Sequence, residues 1–134
     1  MPDALGWRCK FAVVAPSTNT VVQPEFDKMR PPGVTNHFGR IAVSNMQLTR
    51  DDDFVKLMEA IDRCMTFEPD YVLMGMSAIM FWGGYDVAVK RRKEIERNTG
   101  LGVSSGSFAV EAALKLFNAK RIAILSPYQP ISDE

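Results

Sequence analysis

Short apolar runs alternate with longer amphipathic stretches along the 134-residue chain, and this alternation limits the possible folds more than any other feature. Apolar runs of four to eight residues that end at proline, glycine or serine predict buried strands. Stretches with apolar residues at helical spacing predict helices packed on one face. The predicted order is β-α-β-α-β-α-β-α-β, which predicts an α/β fold with a parallel sheet and helices on both faces.

The predicted boundaries follow from local signals. Pro16, Pro31 and Pro69 interrupt or end elements, and Gly100 is a typical helix stop. The predicted strands are residues 11–15, 37–43, 71–74, 102–105 and 121–125. The predicted helices are residues 21–29, a helix that opens at residues 51–53, residues 86–98 and residues 107–117.

Composition excludes several classes of function. The 16 basic residues balance the 16 acidic ones, so there is no electrostatic case for nucleic acid or an anionic membrane as a partner. No apolar run approaches the roughly 20 residues of a membrane helix, and the N-terminus has no secretory apolar segment. We therefore expect a cytoplasmic protein. Cys9 and Cys64 are expected to be free thiols, since a cytoplasmic pair rarely forms a disulfide.

Recognisable cofactor and catalytic motifs are missing from the sequence. There is no G-x-G-x-x-G, no Walker A sequence, no G-x-S-x-G and no metal-ligand spacing, so no cofactor or metal is expected. The glycine-flanked turn at residues 102–106 is a weak candidate for a phosphate site. His37 is interpreted as a polar residue of a strand, and Cys64 as a core thiol on a helix face.

Polar turns follow the first, third and fifth predicted strands. The carboxyl ends of parallel strands meet at one edge of the sheet, where α/β proteins bind ligands, so we expect these turns to converge. Hydroxyl, amide and backbone N–H donors in such turns suit a small carboxylate or the enediolate formed from it. For any single residue, capping and turn formation are the simpler interpretation. The candidate substrate-binding residues are Ser17, Asn19, Gly75, Met76, Ser77 and Tyr128.

Two of these turns resemble a known enzyme family. Residues 15–20 (APSTNT) resemble the P-S-S-N-T turn of maleate cis-trans isomerases. Residues 73–84 (LMGMSAIMFWGG) resemble the M-G-T-S-x-S-F-Y-R-G stretch of arylmalonate decarboxylases and the M-G-M-S-x-x-x-F-W-x-G form of maleate-isomerase-like proteins. The chain thus resembles the N-terminal half of an enzyme in the aspartate/glutamate racemase superfamily, in the maleate isomerase and arylmalonate decarboxylase branch.

The resemblance implies a fold of two flavodoxin-like halves with the active site between them. Residues 1–125 would then be one flavodoxin-like domain and residues 126–134 the start of the crossover to a second half. The helix-start signal at Ser132 leads us to expect a truncated chain that is inactive alone. The resemblance also implies that Asn19 binds a substrate carboxylate, that Gly75, Met76 and Ser77 supply donors, and that Tyr128 adds its hydroxyl. We expect a small carboxylate substrate and a homo-oligomer.

Gly75 departs from part of the family pattern. It stands where the racemases and maleate isomerases carry their first cysteine, whereas the decarboxylases also have glycine there, and Met76 replaces a threonine. The resemblance therefore argues against two-base racemisation and leaves decarboxylation or isomerisation of a small acid. The alternatives are a non-catalytic carboxylate-binding or assembly protein of the same fold and an unrelated flavodoxin-like domain.

Overall fold

A computed structural model describes residues 3–43, 50–81 and 83–125. Four parallel strands form one sheet in the order β2-β1-β3-β4. The strands are β1 (Cys9–Pro16), β2 (Val34–Ile41), β3 (Tyr71–Met74) and β4 (Gly102–Ser105). The helices are α1 (Val22–Met29), α2 (Arg50–Cys64), α3 (Ala78–Phe81), α4 (Tyr85–Thr99) and α5 (Gly106–Leu116), and a 3-10 turn spans Met65–Phe67. The predicted α/β class and parallel sheet are confirmed.

The central strand β1 is the most buried element because it has a partner on each side. Residues 12–15 are fully buried, which is why this run is apolar at every position rather than alternating. β1 pairs with β2 over its full length and with β3 from Phe11 to Val14. The carboxyl ends of β1 and β3 therefore lie side by side.

Helices α1 and α2 cover opposite faces of the sheet. A side chain at Gly39 of β2 would lie 2.8 Å from the Ala60 carbonyl oxygen and from Cys64 Sγ, so α2 covers the Gly39 face. The next residue, Arg40, donates a hydrogen bond to Gln23 of α1. Because successive strand residues point to opposite faces, α1 covers the other side. The predicted two-sided arrangement is present.

The hydrophobic core lies between the sheet and α2, α3 and α4. On α2 it is built by the predicted apolar face, with Leu57 and Ile61 at its centre and Cys64 buried beside them. Cys64 therefore has the predicted structural role. α4 ends as expected at Gly100, whose φ of 71° is a left-handed conformation that favours glycine.

Two predicted strands differ from the structure. β2 spans Val34–Ile41 rather than residues 37–43, because the turn at Gly33 (φ 82°) starts the pairing with β1 at Val34. Residues 121–125 were predicted as a fifth strand, but they form no regular element and are all exposed. Their apolar side chains do not pack against other parts of the described structure. Tyr128 and Ser132 lie outside the described residues.

Among the helices of the described residues, none combines the length and the apolar character needed to cross a membrane.

Candidate functional site

The turns after β1 and β3 occupy neighbouring positions at the carboxyl edge of the sheet. The chain leaves β1 towards β2 on one side and returns past β1 to form β3 on the other, so the direction of strand order reverses between β1 and β3. Crevices at such reversals are the usual ligand sites of open parallel sheets. The Gly75 N–H donates to the Val14 carbonyl oxygen at 2.7 Å, which joins the second turn to the end of β1.

Asn19 in the first turn is held by its side-chain oxygen. Asn19 Oδ1 accepts hydrogen bonds from the backbone N–H groups of Val21 at 3.0 Å and Val22 at 2.9 Å, just before α1. This satisfies N–H groups that a helix start leaves without partners. With the oxygen fixed, the Nδ2 amide group is left as a donor, and it has no hydrogen-bond partner among the described residues.

Ser17 is held in the same turn. Its N–H donates to the Ile41 carbonyl oxygen at 2.8 Å, and its Oγ accepts from the Val43 N–H at 3.1 Å. The side chain is exposed. Because Oγ acts as an acceptor in that bond, the hydroxyl proton is available to a ligand.

Arg40 is a residue of this site that the sequence analysis missed. Its guanidinium Nη1 donates to the carbonyl oxygens of Asn19 at 2.7 Å and Pro16 at 3.2 Å, and Nη2 donates to Gln23 Oε1 at 2.8 Å. It therefore fixes the first turn and places a positive charge beside it. The available signal was a basic residue next to the last position of β2, directly beside β1 in the parallel register.

The second turn spans the distance from β1 to β4. A Cβ atom at Gly75 would lie 3.1 Å from the Val14 oxygen, 3.1 Å from Val22 Cγ1 and 3.2 Å from Ala15 Cβ, so this residue faces β1 and α1. Ser77 lies at the other end, because its Oγ is 3.0 Å from the position of a Cβ at Gly106. Gly75 thus lies beside the first turn, whereas Ser77 lies against the start of α5, directly after β4.

The donors of the second turn are not equivalent. The Gly75 N–H is already bonded to Val14, whereas the N–H groups of Met76 and Ser77 have no such partner within the described part of the chain. The Met76 side chain packs against the core, so its backbone is the part that can reach a ligand. The Ser77 hydroxyl also has no hydrogen bond within that part of the chain.

Neither cysteine lies in the turns at this edge. Cys9 begins β1 at the opposite end of the sheet, and Cys64 is buried at the end of α2, where its Sγ lies against Gly39 of β2. Burial raises the pKa of both thiols, and the Asp70 carboxylate raises the pKa of Cys9 further. Raised values disfavour the reactive thiolate. His37 bonds to Thr35 Oγ1 at 3.0 Å within β2 and is also away from the edge.

The described residues contain no group of three or more histidine, cysteine, aspartate or glutamate residues that could hold a metal ion.

Comparison with known proteins finds a shared fold at low sequence identity. No family model matches the chain, and no curated protein sequence matches it. Arylmalonate decarboxylase superimposes with a TM-score of 0.74 at 14% identity, over 92% of this chain and 53% of that chain. The maleate cis-trans isomerase of Nocardia farcinica gives 0.70 at 19%, over 93% and 56%. The maleate isomerase Iso of Pseudomonas putida S16 gives 0.62 at 18%, over 93% and 56%.

These matches confirm the fold that the sequence resemblance implied. The chain spans about half the length of the solved structures that it matches, as one half of a two-half enzyme would. All three of these structural neighbours are enzymes.

Proposed function

We propose that this chain carries substrate-binding turns of a cofactor-independent isomerase or decarboxylase that acts on a small carboxylic or dicarboxylic acid. The observation that carries the proposal is a set of hydrogen-bond donors, in the turns that follow β1 and β3, that have no partner among the described residues. They are the Ser17 hydroxyl, the Asn19 Nδ2 group, the Met76 and Ser77 N–H groups and the Ser77 hydroxyl.

The chemistry of these donors favours an oxyanion. Each of the two side chains of the first turn uses its oxygen for structure and keeps N–H or O–H protons for a ligand. Arg40 places a positive charge beside the turn while its guanidinium keeps the hydrogen bond to the Asn19 carbonyl oxygen. A carboxylate would be bound by these donors, and an enediolate that develops during proton or CO₂ transfer would be stabilised more strongly because its charge is greater at the same oxygens.

The structural neighbours support this class of substrate. One is named as a maleate isomerase and has been solved with maleate, and another is named as an arylmalonate decarboxylase. Both names describe reactions of small dicarboxylic acids. Sharing a fold does not transfer an activity, so the proposal depends on the donors of this chain as well as on the likeness.

A second candidate is a carboxylate-binding protein without catalysis. The observation in its favour is the position of the two thiols, because Cys9 lies at the opposite end of the sheet and Cys64 is buried in the core against β2. Carboxylate binding is common to both candidates, and only proton transfer at carbon separates them.

Ligand-induced stabilisation tests the shared part of the proposal. The midpoint of thermal unfolding is measured with maleate, succinate and phenylmalonate, with uncharged amides of the same acids as controls. A ligand at 100 times its Kd stabilises the native state by about 2.7 kcal/mol. We expect the acids to raise the midpoint and the amides to leave it unchanged.

Asn19→Asp provides the matched variant. The aspartate retains an oxygen that can accept from Val21 and Val22, so the helix start keeps its cap. It removes the Nδ2 donor and adds a negative charge next to the ligand. We expect unchanged stability and a loss of acid binding of tenfold or more. Equal binding by the variant would rule out Asn19 as a carboxylate ligand.

Proton exchange separates the enzyme from the binder. Because one half is expected to be inactive alone, the assay uses the full-length protein that is proposed to contain this half. It is incubated with each acid in deuterated buffer and followed by NMR for isomerisation, CO₂ loss or incorporation of deuterium at carbon. We expect at least one of these reactions in the enzyme. Binding of acids with none of these reactions would support the non-catalytic candidate.

A further inference from the structure

Asp53 is an acidic residue on the face of α2 whose other buried side chains are apolar. The buried stripe of α2 contains Asp53, Leu57, Ala60, Ile61 and Cys64, which share one helix face. Asp53 is 4% exposed, as deep as its apolar companions. The helix therefore turns this carboxyl group towards the sheet rather than to solvent.

The level of Asp53 along the sheet follows from the contact of α2 with β2. Gly39 lies against Ala60 and Cys64, and β2 continues two residues further to Ile41. Two strand residues advance about 7 Å, and the seven helix residues from Ala60 back to Asp53 rise about 10 Å in the same direction. For a helix that runs antiparallel to the strand, these rises place Asp53 near the level of the last residue of β2, towards the carboxyl edge of the sheet.

The hydrogen bonding of Asp53 is incomplete. Its Oδ2 is buried and has no hydrogen-bond partner in the described structure. Its Oδ1 lies 4.0 Å from Lys56 Nζ, and the Lys56 side chain is itself 41% exposed. A buried polar atom without a partner is costly, and in a native protein it calls for an explanation such as a bound water, an ion or a functional role.

We propose that Asp53 is a specificity-determining residue that binds the second carboxylate of a dicarboxylic substrate. In its protonated form, the carboxyl group of Asp53 donates one hydrogen bond to a carboxylate oxygen of the ligand. The Ser17 and Asn19 donors hold the first carboxylate from the α1 side of the sheet, and Asp53 reaches the ligand from the α2 side. This inference rests on the proposed function.

The surroundings of Asp53 shift it towards protonation. Burial raises the pKa of Asp53, the charge of Lys56 opposes that rise, and the neighbouring Asp52 adds to it. From α4, Arg91 lies with its guanidinium 5.5 Å from the Phe54 ring and donates to the Ile79 oxygen. A neutral acid can share its proton with an incoming carboxylate, whereas an ionised one would repel it.

Two substitutions test the role of Asp53, with Asp62→Asn on the exposed side of the same helix as the matched control. Asp53→Leu extends the apolar stripe and removes every polar atom. Asp53→Asn keeps the shape and N–H donors but cannot titrate. The Kd values of succinate and butyrate are measured by calorimetry for the wild type and all three variants across a pH series.

We expect Asp53→Leu to weaken succinate binding about tenfold or more and to leave butyrate binding unchanged. Its unfolding midpoint without ligand should rise, because an unpaired buried carboxyl is removed. The ratio of the wild-type affinity for succinate to that of Asp53→Asn should fall as pH rises. The reason is that Asp53 loses the proton that it shares with the ligand. The Asp62→Asn control should match the wild type throughout.

The outcomes separate this inference from the proposed function. Equal losses of succinate and butyrate binding in Asp53→Leu, with a lower unfolding midpoint, would show a structural role and overturn the inference. Unchanged succinate binding in both Asp53 variants would overturn it as well, while acid binding itself still stood. Binding of neither acid to the wild type would overturn the proposed function.

Discussion

Individual residues at the carboxyl edge of the sheet combine a structural bond with a free donor. Asn19 and Ser17 each use an oxygen to hold the turn and keep protons for a ligand. Gly75 contributes differently, since its own N–H is bonded to Val14 and its missing side chain allows β1 and α1 to lie close to the second turn.

Gly75→Ala and Gly39→Ala should differ in stability. At Gly75 the new Cβ meets its neighbours at 3.1 to 3.2 Å and the backbone has no positive φ, so small adjustments suffice. Overpacking and the entropy gain of about 0.4–1 kcal/mol from replacing glycine should then nearly cancel. At Gly39 the Cβ lies 2.8 Å from a backbone oxygen, and we expect a loss of about 2–3 kcal/mol. Urea denaturation measures both, and equal losses would contradict the described contacts.

Asp53→Asn should change the pH dependence of stability. The folded-state pKa of Asp53 is raised above its ordinary value of 3.8, mainly by burial. The stability that its proton contributes is therefore complete below that value and is lost as pH rises through the folded pKa. Asparagine has no such proton, so the stability of the variant relative to the wild type should increase with pH. Urea denaturation at about pH 4 and about pH 7 checks this, and a difference that shrinks with pH would show a lowered pKa instead.

At the scale of elements, α5 and the segment after it are rich in apolar side chains that are not buried. α5 has no buried residue although it is rich in alanine, valine and leucine. Residues 121–125 have the apolar pattern of a strand, yet Ile124 is 80% exposed and Leu125 98% exposed. A strand needs a hydrogen-bonded neighbour and a covered face, and local sequence provides neither.

Amide hydrogen exchange should distinguish the buried strand β1 from residues 121–125. The amides of residues 12–15 in β1 should exchange slowly, because they are buried between two strands. The amides of residues 121–125 should exchange orders of magnitude faster, since they form no regular element. Protection of residues 121–125 would show that they do pair as the predicted fifth strand.

Ile124→Ser should change the free energy of unfolding by less than about 0.5 kcal/mol, whereas Ile61→Ala should lower it by about 2–5 kcal/mol.

At the scale of the whole molecule, the chain exposes several large apolar side chains and spans about half the length of the structures that it matches. Leu116 and Phe117, adjacent at the end of α5, are each 81% exposed. Where such side chains form a contiguous patch, they usually mark an interaction site.

We predict that the chain self-associates through this surface. Sedimentation velocity should show a sedimentation coefficient that increases with concentration. Replacing Leu116 and Phe117 by glutamate should shift the protein towards monomer, because burying the new charges would be costly. Val55→Glu on α2, also at an exposed apolar residue, should leave association unchanged. A monomer at every concentration would contradict the prediction.

The sequence by itself determined the α/β class, the parallel arrangement, the central strands and most helix ends. The reason is that buried apolar runs, helical periodicity and a stop such as Gly100 act over a few residues and are readable locally. It also indicated the turns that carry the candidate donors, since turn residues must follow strands.

Only the tertiary structure decided which of those groups remain free. The register of β2 on β1 placed Arg40 behind the first turn, and the same sheet bonded the Gly75 N–H to Val14. The packing of α2 on the sheet turned Asp53 inwards, where it is buried. These outcomes depend on contacts between residues distant in sequence, and local patterns contain no information about such contacts.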